Sequence, residues 1–157
     1  MTTDRQFHLY PLFVATLIMI LNSTANAAMT TSGEMILVPE YVKAESMVVA
    51  EDFEGAIPLL NETLKQQPGH ASAFNLLGYA HRRLGKFDQA EQYYEGALTL
   101  NPDHTGALNY MGQLFIQTGR PEKAKSFLMR LQKACPDGCG DLEHLEKAVA
   151  SGVAGNY

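Results

Sequence analysis

The chain has 157 residues, 46% of them hydrophobic, and this length is enough for one domain. Its 17 Asp and Glu outnumber its 12 Lys and Arg, so the net charge is −5 and a clustered basic surface for nucleic acid is not expected. The short basic group of Arg82, Arg83 and Lys86 is interpreted as a solvated helix end, and we expect no nucleic-acid partner.

Residues 1–27 have the layout of a secretory signal peptide. An apolar run of 13 residues, Leu9–Leu21, follows Arg5, and Ala25-Asn26-Ala27 places small residues before a cut at Ala28. Such a run is too short to cross a hydrocarbon core of about 30 Å comfortably, although an uncleaved membrane anchor is the alternative. We therefore expect a periplasmic or secreted chain, with no stable membrane span after signal cleavage and a flexible lead-in over 28–36.

The rest of the chain repeats itself with a period of 34 residues. Residues 71–104 align with 105–138 without gaps, and residues 37–70 form a third, looser copy. The two gap-free copies share small residues and prolines at the same positions. These pairs are Gly78 and Gly112, Gly85 and Gly119, Ala90 and Ala124, and Pro102 and Pro136. A fixed period of this size is typical of stacked supersecondary units rather than of one closed core.

Each copy is predicted to form two helices, A and B, joined by a tight turn. In the second copy helix A spans roughly 71–84 and helix B roughly 87–100, with apolar residues three and four apart on both. Gly85 ends helix A because glycine accepts a left-handed conformation, and Pro102 stops helix B. The third copy has helix A at roughly 106–118 and helix B from Pro121, a residue suited to a first turn. The first copy has helices at roughly 39–50 and 53–67.

Signature residues recur at fixed positions in both good copies. The second copy carries Phe74, Leu77, Gly78, Gly85, Phe87, Ala90, Tyr94, Ala97 and Pro102, and the third carries Leu108, Met111, Gly112, Phe115, Gly119, Ala124, Leu128 and Pro136. In this pattern the chain resembles the tetratricopeptide repeat family. The resemblance implies an all-α, right-handed helical-repeat solenoid of about three helix-turn-helix repeats, at 37–70, 71–104 and 105–138, with a C-terminal capping helix. It says less about function, because this fold hosts many unrelated partners.

The resemblance also implies a concave groove lined by the A helices, in which exposed residues hold a peptide or a partner's helix. Carried onto this chain, the groove residues are Tyr41, Glu45, Asn75, Tyr79, Arg82, Arg83, Asn109, Gln113 and Ile116. Asn75 and Asn109 coincide under the 34-residue shift, and an amide can both donate to and accept from a peptide backbone. The alternative is that these amides are only solvated helix-surface residues.

Residues 139–150 are predicted to form the capping helix, and residues 151–157 a frayed tail. Cys135 and Cys139 precede this helix, and in an exported protein such a pair is most simply a disulfide that pins the cap to the last repeat. A metal site with His144 or a redox dithiol is the alternative, although the spacing matches neither a standard zinc finger nor Cys-x-x-Cys. We expect no metal and no cofactor.

The sequence contains no recognisable catalytic constellation. His70 and His104 share one repeat position before helix A and are expected to cap helices, while His81 falls on an apolar stripe. No Gly-rich phosphate loop occurs, and no serine is set with His and Asp. We therefore predict a non-enzymatic, exported module that binds a protein or peptide partner as a scaffold or assembly adaptor. The alternatives are a metal-handling or thiol-redox accessory protein and a self-associating structural protein, that is, a homo-oligomer.

Overall fold

The computed structural model describes residues 39–155, so the predicted signal peptide and lead-in lie outside the described residues. Within this range all regular secondary structure is helical, which confirms the predicted all-α class. The helices are α1 (Pro39–Val49), α2 (Phe53–Gln66), α3 (Ala71–Arg83), α4 (Phe87–Leu100), α5 (Thr105–Gln117), α6 (Pro121–Ala134) and α7 (Gly140–Ser151). Among them, none combines the length and the apolar character that spanning a membrane requires.

The two helices of each repeat are joined by a turn that contains one residue with positive φ. Gly85 and Gly119 have φ of 73° and 72°, a conformation that glycine adopts readily at helix ends. Glu51 takes the same place in the first repeat with φ of 61°, which costs a residue with a side chain about 1–2 kcal/mol. The turn after α1 is therefore strained, although it reverses the chain in the same way.

A histidine caps the first helix of the second and third repeats. Nδ1 of His70 accepts a hydrogen bond from the backbone N–H of Ala73 at 3.2 Å, and Nδ1 of His104 accepts from Ala107 at 3.3 Å. Each contact satisfies one of the N–H groups that have no partner inside the helix. The shared repeat position of the two histidines is thus explained by capping, as expected.

The helices stack in repeat order, with the first helices of the repeats together on one side. α1 contacts α3, α3 contacts α5 and α5 contacts α7, whereas α2, α4 and α6 make no contact with one another within residues 39–155. Because the first helices are closer together than the second helices, the stack bends toward the first helices. We call the surface formed by α1, α3 and α5 the concave face.

Close packing of the helices depends on small residues where they cross. A Cβ atom on Gly78 of α3 would lie 2.6 Å from the ring of Tyr94 on α4. Tyr94, Ala90 and Ala107 are fully buried, so the interface has no room for larger side chains. The small residues that define the repeat in the sequence therefore set the distance at which the helices meet.

α7 covers the end of the stack and is tied to α6 by a disulfide. Leu145 of α7 is buried in a cluster with Leu108 and Leu131. Cys135 and Cys139 are bridged across the turn between α6 and α7, with their Cα atoms 6.0 Å apart. A bridged sulfur is not a thiolate ligand, and within residues 39–155 no group of three His, Cys, Asp or Glu side chains is arranged to hold a metal ion.

Replacing Gly78 by valine is expected to lower the free energy of unfolding by about 1–3 kcal/mol, because the added carbons would overlap the Tyr94 ring. Chemical denaturation followed by circular dichroism measures this loss. Gly69→Val is the matched control, since a Cβ at Gly69 meets no atom within 4 Å. Equal stability of the two variants would contradict the argument.

Candidate functional site: the concave face

An open pocket lies on the concave face where α1, α3 and α5 meet. Its volume is about 380 Å³, and it is lined by Glu45, Val48, Val49, Glu51, Leu76, Tyr79, Arg83 and Tyr110. The lining combines aliphatic, aromatic and charged side chains, and Val49 is 81% exposed. Such a surface suits a ligand that places an apolar side chain beside polar groups.

Arg83 orients the side chains on the α1 and α3 side of this pocket. Its guanidinium donates hydrogen bonds to the Tyr79 hydroxyl at 2.7 Å and to the Glu51 carboxylate at 3.0 Å. It also lies 4.9 Å from the centroid of the Phe53 ring. The Glu51 side chain is largely exposed, and an exposed ion pair adds only about 0–1 kcal/mol. The contact therefore matters mainly because it holds Arg83 and the Tyr79 hydroxyl in place.

Arg82, the neighbouring residue, is only 2% exposed. Its guanidinium lies 5.5 Å from the centroid of the Tyr79 ring and 5.9 Å from that of Tyr110, and it donates to the Gln117 side-chain oxygen at 3.3 Å. No ion pair joins Arg82 to a carboxylate within the described part of the chain. The two aromatic rings, which also line the open pocket, stabilise the buried cation by cation–π contact.

The structure buries most of the residues that the sequence places in the groove. Asn75, Tyr79, Arg82, Asn109, Gln113 and Ile116 are buried, while Tyr41, Glu45 and Arg83 are exposed or half-buried. This corrects the expectation that such positions are exposed along the whole groove. The reason is that α7 packs on α5 and the chain after α7 returns to Arg82 at the end of α3. The open part of the concave face is therefore at the α1 end.

Asn109 connects α5 to α7 instead of facing a groove. Its side-chain oxygen accepts from the Gln113 amide at 2.7 Å, and its side-chain nitrogen donates to the Asp141 carboxylate at 3.0 Å. Asn109 and Gln113 are fully buried, and buried polar groups are normally hydrogen-bonded to one another in this way. In the third repeat the predicted binding amide thus stabilises the packing of α7.

Residues 151–155, the described part of the tail predicted to fray over 151–157, make ordered contacts instead. Gly152 has φ of 70° and turns the chain at the end of α7. Ala154 packs against the core cluster that includes Tyr94 and Ile116, and the Gly155 carbonyl accepts a hydrogen bond from Arg82 at 3.4 Å. The sequence carried no signal for this contact, because a short run of small residues has no periodicity to interpret.

Ser72 and His104 form a contact that their spacing in the sequence does not reveal. Oγ of Ser72 and Nε2 of His104 are 3.3 Å apart. Because Nδ1 of His104 accepts from Ala107, the neutral ring carries its proton on Nε2 and donates it to Ser72. Burial lowers the pKa of His104 and favours this neutral form. The pair therefore lacks the geometry of a nucleophile and its base, since Nε2 cannot accept the serine proton.

A larger pocket, of about 620 Å³, lies among α4, α5 and α6 away from the concave face. Several of its charged side chains already have partners in the structure. Arg120, next to the pocket, pairs with Glu91 at 2.7 Å, Lys123 lies 5.1 Å from the Phe115 ring, and Arg130 lies 5.0 Å from the Phe127 ring. Lys123 and Arg130 thus already occupy the faces of two aromatic rings of this pocket, so we favour the concave face as the candidate site.

Family models and solved structures match the described fold. Two models of the tetratricopeptide repeat match residues 41–104 and 81–150, and together they span most of the chain. No curated protein sequence matches significantly. The chain is similar to the TPR domain of Arabidopsis OM64, with 18% identity and a TM-score of 0.65 over 73% of this chain and 93% of that one.

Two further similar structures are described with bound peptides or complexes. The TPR2B domain of yeast Sti1, in a pHsp70 complex, has 14% identity and a TM-score of 0.67, over 72% of this chain and 92% of that one. The first TPR of Spaghetti (RPAP3), bound to the HSP90 peptide SRMEEVD, has 22% identity and a TM-score of 0.61, over 71% and 90%. At these identities the likeness concerns the fold.

Replacing His104 by asparagine is expected to keep the cap of α5 and to reduce the loss of stability in acid. Burial lowers the pKa of His104 from 6.5, so the unfolded chain binds more protons and stability falls as the pH drops below about 6.5. Asparagine caps helices without titrating. Denaturation curves at about pH 7.5 and about pH 5 measure the slope. Burial lowers the pKa of His81 as well, so the variant keeps part of the dependence of stability on pH. A pH dependence equal to that of the wild type would contradict the role of His104.

Proposed function

Because the chain belongs to the tetratricopeptide repeat family, we propose that it is a protein-interaction module whose open pocket binds an extended segment of a partner protein. The observation that carries this proposal is the pocket itself, which lies on the concave face and exposes apolar surface at Val49. A stack of helical repeats offers such a surface as its means of recognition. The fold alone does not specify the partner, so the argument depends on the residues at the site.

The lining of the pocket suits a peptide better than a small molecule. Val48, Val49 and Leu76 provide aliphatic surface for one side chain of the ligand. The Tyr79 and Tyr110 rings, with centroids 4.9 Å apart, add flat surface that carries polar hydroxyl groups. The carboxylate of Glu45, which also contacts the Tyr41 hydroxyl, is exposed and suits a basic or amide group that flanks the apolar anchor. The peptide complexes of similar domains support an extended segment as the class of ligand.

We further propose that this module works outside the cytoplasm, as a scaffold or assembly adaptor of an exported system. The signal-like residues 1–27 support this placement. The Cys135–Cys139 disulfide also supports it, because structural disulfides persist in oxidising compartments and are rare in reducing ones. An adaptor needs no reacting group. The Ser72–His104 contact is consistent with this function, because the His104 proton lies on Nε2 and that nitrogen cannot accept the serine proton.

The test of the proposed function is partner capture with a matched pair of surface variants. Val49→Asp places a charge on the exposed apolar surface of the pocket, and Met129→Asp makes the same change at a residue of α6 that is 57% exposed and does not line the pocket. The proteins are crosslinked in their native compartment, co-purifying proteins are identified, and the affinity of the captured partner is then measured by calorimetry. We expect Val49→Asp to raise Kd about tenfold or more.

The control decides how a loss of binding is interpreted. Met129→Asp should retain the partner with an unchanged Kd, because α6 lies on the side of the stack away from the concave face. A partner retained by Val49→Asp, or lost equally in both variants, would refute the assignment of binding to this pocket. Both side chains are largely exposed, so neither change removes core packing and both variants are expected to fold.

A further inference from the structure

The segment 152–155 follows α7 and contacts Arg82 at the end of α3, beside the two tyrosine rings that also line the open pocket. Gly152, with φ of 70°, redirects the chain after α7. The Gly155 carbonyl oxygen then lies 3.4 Å and 3.5 Å from the two terminal nitrogens of Arg82. Ala154 packs against the core cluster, whereas Val153 is 68% exposed. Val153 also exchanges hydrogen bonds with Ser151 at the end of α7, so the segment contacts the earlier helices mainly through one backbone carbonyl and one small side chain.

Arg82 is a buried cation whose hydrogen bonding is incomplete. It is buried, and its acceptors, Gln117 and Gly155, are both neutral. Its Nε has no hydrogen-bond partner. A buried cation without a counter-charge is unfavourable unless acceptors surround it. The Gly155 carbonyl therefore lies where Arg82 requires an acceptor. A backbone carbonyl of a bound peptide would accept from Arg82 in the same way.

We propose that the segment 152–155 is an internal ligand of the concave face. This segment must leave before a segment of a partner protein can contact Arg82. The continuity of the surface supports this. Tyr79 and Tyr110 line the open pocket and also flank the Arg82 guanidinium. A partner segment that passes these rings reaches the position of Gly155. This inference rests on the proposed function, since it describes how access to the same face is regulated.

The contacts of the segment suit reversible docking. Its hydrogen bonds to Arg82 are long, and its one apolar contact with the core is the partly buried side chain of Ala154. A short tether nevertheless gives a segment an effective local concentration in the millimolar range, so weak contacts are enough to keep it bound. A partner that offers Arg82 a carboxylate or a better aligned carbonyl gains a charge-assisted hydrogen bond and displaces it.

The first experiment measures the segment without any partner. Ala154→Lys adds a cation beside Arg82 and enlarges a packed side chain, and Val153→Lys adds the same charge at the exposed neighbouring residue. NMR relaxation of the Gly155 amide in the full chain is expected to give an order parameter near that of rigid backbone, about 0.85, in the wild type and Val153→Lys. In Ala154→Lys we expect a value below about 0.6. A mobile Gly155 in the wild type, or no difference between the variants, would overturn the proposal.

The second experiment tests whether the segment behaves as a ligand. A synthetic peptide of residues 150–157 is titrated into each protein at millimolar concentration, and the Arg82 side-chain resonance is followed. We expect the peptide to shift this resonance in Ala154→Lys and in a chain that ends at Gly152, and to leave the wild type and Val153→Lys unchanged. Circular dichroism checks that all four proteins are equally helical. The same response in all four, or none, would overturn the proposal.

These experiments are independent of partner capture. If the segment proves mobile while Val49→Asp still loses a partner, the internal-ligand proposal fails and the proposed function stands. If the segment is ordered and the peptide competes, yet no partner depends on the open pocket, the proposed function fails and the internal contact stands. Where both hold, the captured partner should bind Ala154→Lys about tenfold more tightly than the wild type, because the competing state is removed.

Discussion

The rest of this structure depends on the contact between a small residue on one helix and a bulky side chain on its neighbour. Gly78 admits the ring of Tyr94, and Gly112 admits the side chain of Leu145. Because the first of these contacts lies within a repeat and the second joins the last repeat to α7, the same kind of contact holds a repeat together and closes the stack. Each helix pair buries its apolar stripe on the next pair, and no single closed core is required.

This stacking also decides which part of the concave face is accessible. α5 packs beside α3 and α7 beside α5, so the buried polar side chains of the third repeat, Asn109 and Gln113, contribute to packing. Asn109 was expected to bind a partner in the groove. Its hydrogen bond to Asp141 instead joins α5 to α7, the helix that covers this part of the concave face. At the α1 end the pocket between α1 and α3 is open, and accessible apolar surface is found there. The proposed binding surface and the polar contacts that stabilise packing therefore lie at opposite ends of the concave face.

Arg82 and Arg83 illustrate how neighbouring residues on one helix acquire different roles. Arg83 has a carboxylate partner, Glu51, and a hydroxyl partner, Tyr79, and it faces the open pocket. Arg82 points away by about 100°, as successive residues of a helix do, and it is buried between two tyrosine rings and two neutral acceptors. An arginine that already had a carboxylate partner and complete hydrogen bonding would gain little from another acceptor. The incomplete hydrogen bonding of Arg82 is what makes the C-terminal segment a candidate for regulation.

The helices and turns of this fold could be predicted because the residues that produce them act locally. Gly85 and Gly119 end helices through their own backbone conformation, Pro121 begins one, and the 34-residue spacing of small and apolar residues sets the order of stacking. The side of the stack that carries the groove was expected from the resemblance to the tetratricopeptide repeat family. The sequence by itself therefore determined the class of fold and the face on which binding is sought. Only the tertiary structure decided which of those residues are open, because their cover comes from α7 and from residues 152–155, and packing between segments so far apart in the chain leaves no periodic pattern in the sequence.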